Sequence, residues 1–495
     1  MVWTPRYLRP NFERLRCHNH QTEILPSGAQ YANCRYWLGQ QQGSQGLFLA
    51  SNNSPQNSGQ NSGKHADKYA GRASATSTAG QIDSPDMRCG GKELLSLALM
   101  DARNHTLHLF AQYQKALEGV NYVVPQLATV NPPLWELGHL GWFQEWWIAR
   151  NMQRALGTRC DPTHARLASI EPHADRWWDS SHVAHETRWQ LDLPSADNIR
   201  AYLLDTLEST LDLLEKTDDS DDALYFYRLS LFHEDMHAEA LVYTAQTLGL
   251  KLDTLMQQIY TPAPMTLREP LLIPACTWQL GSANDGFSFD NERPQHSVSV
   301  PEFEIDAHPV TWAQYVEFVD DDGYDRQELW SADGWHWLQA LSKSEGRRAP
   351  RYVDQIGVAS GAVMQTRFGV ARRMQGSQSA MHMSWYEADA WCRWAGRRLP
   401  FEVEWEIAAH TAARRGFLCG NVWEWTGSTF RGYANGSDSF QSDPYLDYSK
   451  PWFDTHKVLR GASFATRARM KSPKYRNFYL PERDDMFCGF RSCAL

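Results

Sequence analysis

The spacing of hydrophobic residues divides the chain into three parts. In KELLSLALMDARNHTLHLFAQYQKALEG, starting at Lys92, apolar side chains such as Leu95, Leu99, Leu109 and Phe110 recur at mixed three- and four-residue intervals. That is the period of one helix face, and Gly119 closes it. A second helical run follows Asn131-Pro132-Pro133 and continues through LWELGHLGWFQEWWIARN, with Asn131 expected as its cap and proline in its first turn. A third helix is expected over about 195–216, where Leu203, Leu204, Leu207, Leu211 and Leu214 form a stripe. A fourth is expected over about 222–248, stopping at Gly249. Four long helices with a long connection between the second and third predict a four-helix bundle over 91–262.

After the proline-marked stretch 261–274 the period changes. Short alternating runs, TWQLGS and HSVSVPEFEID, give way to turns and to helices expected around 312–319 and 386–395. This pattern predicts a mixed α+β domain over 263–495. Ahead of both parts, residues 40–85 are rich in Ser, Gly, Asn and Gln, too polar to offset the entropy of ordering, so 1–90 is expected to be a disordered extension. The fold class expected is a two-domain α+β protein.

Composition narrows the partners. The 495 residues exceed one compact domain. A net charge of −10 without a basic run excludes a nucleic-acid partner. No segment has the roughly 18 apolar residues that a membrane span requires. The opening MVWTPRYLRPNFERLRCHNH lacks a signal-peptide core, so a cytoplasmic location is expected. Nine cysteines form no CxxC pair, which argues against a zinc ribbon and suits free thiols. Most of the 21 tryptophans are expected in the core, with one or two lining a site.

The candidate chemistry lies on the fourth helix, in His233-Glu234-Asp235-Met236-His237. Histidines at i and i+4 stack on one helix face, so both imidazoles reach a common metal ion. The same face carries Phe226, Ser230, Ala240, Leu241 and Thr244 and points inward. His139, in LGHLGW on the second helix, is the natural third ligand across a bundle. HEDMH also matches the H-E-x-x-H pattern of zinc proteases, with Glu234 as base, but the helix belongs to a bundle and the extended form, with a Gly and a third His beyond the helix, is absent. Spacing thus defines a three-histidine metal site and leaves iron and zinc both open. A zinc hydrolase or thiol transferase, or a non-catalytic lectin-like binding protein, would fit the same pattern.

LGHLGWF followed by HEDMHAE resembles the metal-binding domain of the ergothioneine-type non-haem iron sulfoxide synthases. HPVTWAQYVEFV, MSWYEADAWCRWAGRRLPFEVEWEIAA, GNVWEW, VLRGASFAT and RNFYLPERDDMFCGFR resemble their second domain, in the same order. The resemblance covers about 91–495 and implies a DinB-like four-helix bundle followed by a formylglycine-generating-enzyme-like (C-type-lectin-like) α+β domain. It implies Fe(II) on His139, His233 and His237, with O₂, hercynine and a sulfur or selenium donor as small-molecule substrates. A formylglycine-generating oxidase is disfavoured, because such enzymes use a cysteine pair just after the RGASF-like strand and 461–487 holds no cysteine.

The closing motif departs from R-N-W-D-x-P-x-R, the form found with γ-glutamylcysteine donors. Phe478 replaces its Trp and Tyr479 its Asp, so a donor ammonium group loses its partner. His185 and Arg188 stand where an arginine pair would bind two carboxylates, and Met236 where relatives often carry Gln. The ending is closer to the selenoneine synthase branch, whose donor is a seleno-sugar. Arg188, Phe478, Tyr479 and Arg483 are the expected substrate contacts, with Asp484 and Asp485 suited to hydroxyls. Tyr433, Tyr445, Tyr448 or Tyr479 could serve the metal as a proton or hydrogen-bond donor, and the sequence does not choose among them. Glu234 is expected to orient a ligand or touch a neighbouring loop. GNVWEW is expected to be a structural signature. The oligomeric state is not legible.

Overall fold

A computed structural model describes residues 78–283, 285–357, 361–433 and 440–495. Residues Ser74–Leu495 form one compact unit. Most of the expected extension, 1–77, lies outside the described residues. Its last part is ordered, contrary to expectation: helix α1 (Thr78–Ile82) and a 3₁₀ turn at Pro85–Cys89 precede the long helices. Met87 is buried, and Arg88 pairs at 2.7 Å with a fully buried Glu292 that would otherwise be an uncompensated charge.

Helix α2 (Lys92–Leu117) follows, then α3 (Pro133–Gln144). The short α4 (Ala174–Trp178) lies in the long connection, and α5 (Ala196–Glu215) and α6 (Asp221–Thr247) complete the helical half. Ser195 and Ser220 cap α5 and α6 through their side chains. Asn131, expected to cap α3, does not: Pro132 occupies that position, and the Asn131 amide is drawn inward to Glu136. The second helix also ends differently from expectation. Beyond Gln144 it widens into a π turn, Glu145–Ala149, whose acidic first residue accepts bonds from Tyr202, Ser169 and the Ile170 N–H.

The mixed half contains two four-stranded sheets, a hairpin and a three-stranded meander among the described residues. The expected strands at TWQLGS and HSVSV pair antiparallel as Cys276–Leu280 and His296–Val300. The expected helices appear at Trp312–Asp320 and Trp385–Trp394, each opened by a capping box. The WEW of GNVWEW opens a strand of the second sheet, Trp423–Thr429, where Trp425 donates to the Met383 carbonyl at 2.8 Å and Glu424 pairs with Arg491.

This half grips α6. Glu239 accepts bonds from Trp423, Ser463 and Thr466 at 2.9, 2.5 and 2.7 Å, and Asp235 pairs with Arg469 at 2.6 Å. Both carboxylates are buried, so these contacts fix the helix that carries HEDMH. No described helix is long and apolar enough to cross a membrane.

Candidate metal centre

His139 of α3 meets His233 and His237 of α6, and one ring nitrogen from each lies within 4.8 Å of the others. The Nε2 atoms of His233 and His237 are 3.1 Å apart. Two of the rings have their outer nitrogens assigned. His139 Nδ1 lies 2.8 Å from the Trp178 carbonyl, which only accepts, so Nδ1 carries the proton and Nε2 presents its lone pair. His237 Nδ1 lies 2.5 Å from Glu136 Oε1, with the same consequence. The Asn131 amide donates to the other Glu136 oxygen at 2.7 Å.

Burial keeps the His139 and His233 rings neutral. It pushes His139 down to about 3 and His233 well below the ordinary histidine value. Burial would raise the Glu136 carboxyl, but the His237 and His139 rings and the Asn131 amide outweigh it and hold it at about 2. Imidazole nitrogens converging in this way are the donor set that a divalent transition metal takes, and the 3.1 Å contact between His233 Nε2 and His237 Nε2 is a hydrogen bond that such a metal would replace.

Aromatic rings wall the cluster. Trp135 stacks on His139 with centroids 5.0 Å apart, and Phe143 lies flat on His233 at 3.5 Å. Gly138 allows α4 to approach, since a Cβ there would stand 2.1 Å from the Trp178 ring. Of the four candidate tyrosines, Tyr445 comes nearest, its ring 6.2 Å from that of His233 and its hydroxyl unbonded among the described residues. Tyr448 and a tyrosine not anticipated, Tyr475, direct their hydroxyls at the Met236 sulfur, at 3.6 and 3.2 Å. Tyr433 is bound to Glu402, and Tyr479 lies under Arg483.

Two cavities adjoin the cluster. One of about 90 Å³ reaches His237 and Glu136 between Tyr113, Asn131, Tyr243 and Thr244, with no Lys or Arg in its lining. The other, about 240 Å³, lies against Phe143 and Tyr445, with Trp142, Trp146 and Trp147 as walls and Asp179 and Asp447 as its acidic groups.

The expected substrate contacts fall at varying positions. Arg188 stacks on Trp135 at 3.7 Å and donates to Asn131 Oδ1 at 2.8 Å, one residue away from the cluster. Arg483 gives its fork to Asp485 at 2.8 Å and lies over Tyr479 and Tyr243. Phe478 packs flat on Phe430 at 4.0 Å, in a small apolar cluster of its own. Asp484 is not available to hydroxyls, because Arg347 and Arg351 both hold it at 2.6 Å. Glu234 neither orients a ligand nor serves as a base: it turns away into a buried ion pair with Arg103 at 2.8 Å. Glu136, which sequence reasoning missed, is the carboxylate at the cluster. Its signal was a single acid one turn before His139 in an otherwise apolar helix.

The Sulfatase-modifying factor enzyme 1-like domain family matches residues 257–418 and 416–494. The hercynine oxygenase of Mycolicibacterium smegmatis is 31% identical over 418 residues, covering 73% of this chain and 90% of that protein. The hercynine oxygenase of Mycobacterium tuberculosis is 29% identical over 411 residues, with 73% and 90% covered. A formylglycine-generating enzyme of Streptomyces coelicolor is 32% identical over 176 residues, covering 33% of this chain and 52% of that enzyme. A domain of this kind, joined to a helical half that gathers three imidazoles, makes the protein an oxidative enzyme. The chain belongs to the hercynine oxygenase family, the ergothioneine-type sulfoxide synthases.

Proposed function

We propose that the protein is an Fe(II)- and O₂-dependent enzyme that joins a seleno-sugar to the imidazole of hercynine through a C–Se bond. In this reading 91–262 is a DinB-like bundle, 263–495 supplies the substrate-binding domain, and His139, His233 and His237 hold the iron. When bound, ferrous iron would activate O₂ and accept the chalcogen donor on its open side. The chain's own residues do the rest. Glu136 and the Trp178 carbonyl keep two rings in the ligating tautomer. Trp142, Trp146, Trp147, Phe143 and Tyr445, with Asp179 and Asp447, offer a quaternary ammonium an aromatic and acidic surround. Tyr445 is positioned to give a proton or hydrogen bond to an oxygen atom beside His233.

The observation that carries the donor assignment is the cavity at His237, whose lining has no cationic side chain. A donor with two carboxylates needs free guanidinium groups. Arg188 is committed to Asn131 and the Val183 carbonyl, and Arg483 to Asp485. Hydroxyl groups from Thr129, Tyr243 and Thr244 suit a sugar instead. The second reading is a γ-glutamylcysteine or cysteine donor with a C–S product, as the resemblance to the ergothioneine-type sulfoxide synthases implies. The hydrolase reading is weakened because Arg103 sequesters Glu234, its required base.

The test is anaerobic reconstitution with Fe(II), then O₂ and hercynine with a seleno-sugar, γ-glutamylcysteine and cysteine in competition, read by mass spectrometry. A selenium adduct that disappears in His237→Ala is expected. A sulfur adduct alone would move the enzyme to the second reading. No O₂ uptake with any donor, in protein that retains zinc, would end the iron reading.

A further inference from the structure

A cavity of about 400 Å³ opens on the mixed half, between the segment 257–262 and the hairpin formed by strands Ala362–Arg367 and Val370–Met374. It shares no lining residue with either cavity at the histidines. Its volume is within the range of small-molecule sites. Its charged lining is of one sign, Arg367, Arg372 and Arg373, without an Asp or Glu.

Arg367 is the unusual member, at only 5% exposed. Its guanidinium donates to the Tyr260 carbonyl at 2.9 Å and touches the Met381 sulfur at 2.9 Å. The rings of Phe368, Phe464 and Phe487 stand within 5.3–5.6 Å. No described carboxylate pairs with it, nor with Arg372 or Arg373, although buried arginines elsewhere in the fold, such as Arg103, Arg460, Arg469 and Arg491, each have one. Burial and the neighbouring Arg372 hold its guanidinium down to about 10. Two residues earlier on the same strand, Gln365 is fully buried with both amide atoms unpaired among the described residues. A desolvated cation without a counter-ion is costly, and here the cavity alone has room for one.

We propose that this cavity binds a small phosphate-bearing anion, with Arg367 at its base, Arg372 and Arg373 at its rim, and the Gln375 amide as a neutral donor. Three guanidinium groups facing no acid match a dianionic oxyanion better than a single carboxylate. The site is separate from the oxidative chemistry and does not depend on which donor the enzyme uses.

Calorimetry and thermal unfolding of the full-length protein test it, with inorganic phosphate and citrate as probes and chloride at matched ionic strength as the control. Phosphate is expected to bind and to raise Tm above the chloride control. Arg372→Ala with Arg373→Ala should weaken phosphate binding at least tenfold. Arg367→Met should abolish it while leaving the unliganded protein folded, since a buried unpaired charge gives way to an apolar chain of similar length. Arg326→Ala, an exposed change elsewhere, should leave binding unaltered. The proposal fails if phosphate gives no shift, if binding survives both cavity variants, or if it is lost in His233→Ala instead. Tighter binding of citrate than phosphate would overturn the assignment to phosphate.

Discussion

Glu136 Oε1 stands 2.5 Å from His237 Nδ1, across the boundary between α3 and α6. One carboxylate thus sets the tautomer of a histidine on another helix, while its second oxygen is occupied by Asn131. Glu136→Gln removes the charge and keeps the shape. It is expected to lower metal affinity by roughly 10–100-fold with the fold intact, read by Co(II) or Fe(II) titration of the metal-free protein beside circular dichroism. Unchanged affinity would show that the contact does not serve the ligand.

Tyr445 is expected to act in turnover and not in assembly. Tyr445→Phe should leave metal content unchanged and cut product formation by roughly 10²-fold or more. A variant that keeps the native rate would remove Tyr445 from the chemistry and leave it as a wall of the aromatic pocket.

Donor preference can be tested at the Arg483–Asp485 pair. Asp485→Asn frees the guanidinium between Tyr479 and Tyr243. The ratio of γ-glutamylcysteine to seleno-sugar product should then rise, by about tenfold for one recovered charge-assisted bond. A ratio that does not move would place Arg483 outside donor recognition.

Glu234 is expected to matter for stability alone. Its pair with Arg103 is almost fully buried, so Glu234→Gln should destabilise the protein by about 3 kcal/mol or more. Metal binding, measured well below the lowered Tm, should persist. Loss of metal in a still-folded Glu234→Gln protein would contradict this.

Asp290 gives the protein a pH-dependent stability term. Burial raises its carboxyl from 3.8 to about 7. The folded state therefore binds the extra proton, so this contribution is complete below about pH 4 and is lost as the pH rises through 7. The full shift corresponds to up to about 4 kcal/mol, on the scale of 1.36 kcal/mol per unit. Asp290→Asn should flatten denaturant midpoints between about pH 4 and pH 7, the window of the shift. An unchanged profile would assign the pH dependence elsewhere.

Local rules made the helices legible. Leucine spacing and Gly249 as a stop set α5 and α6 almost to the residue, while the Ser195 and Ser220 caps came to light in the structure. His233 and His237 were readable because i, i+4 geometry is a property of one helix, and His139 because bundle helices face one another. What required the third dimension was everything that orients them. Trp178 contributes through a backbone carbonyl in an irregular connection, where no side-chain pattern marks it. Glu234, adjacent to a ligand in sequence, faces Arg103 because neighbours on a helix point in different directions. Tyr445 could not be told from three other tyrosines, since a loop has no period to read. Residues 78–90 were judged by their polar surroundings, and the pairing of Arg88 with Glu292 overrode that composition.

The close approach at Gly138 links metal loading to folding order. Trp178 reaches the His139 ring only where α3 lacks a side chain, so the inward lone pair of His139 is a product of docking and not of helix formation. A chain with all its helices formed but the 150–195 connection undocked would have a mobile His139 and an incomplete nest. Uptake of a metal at the proposed site would then be a late event, and its retention a report that the long connection had closed over the helices.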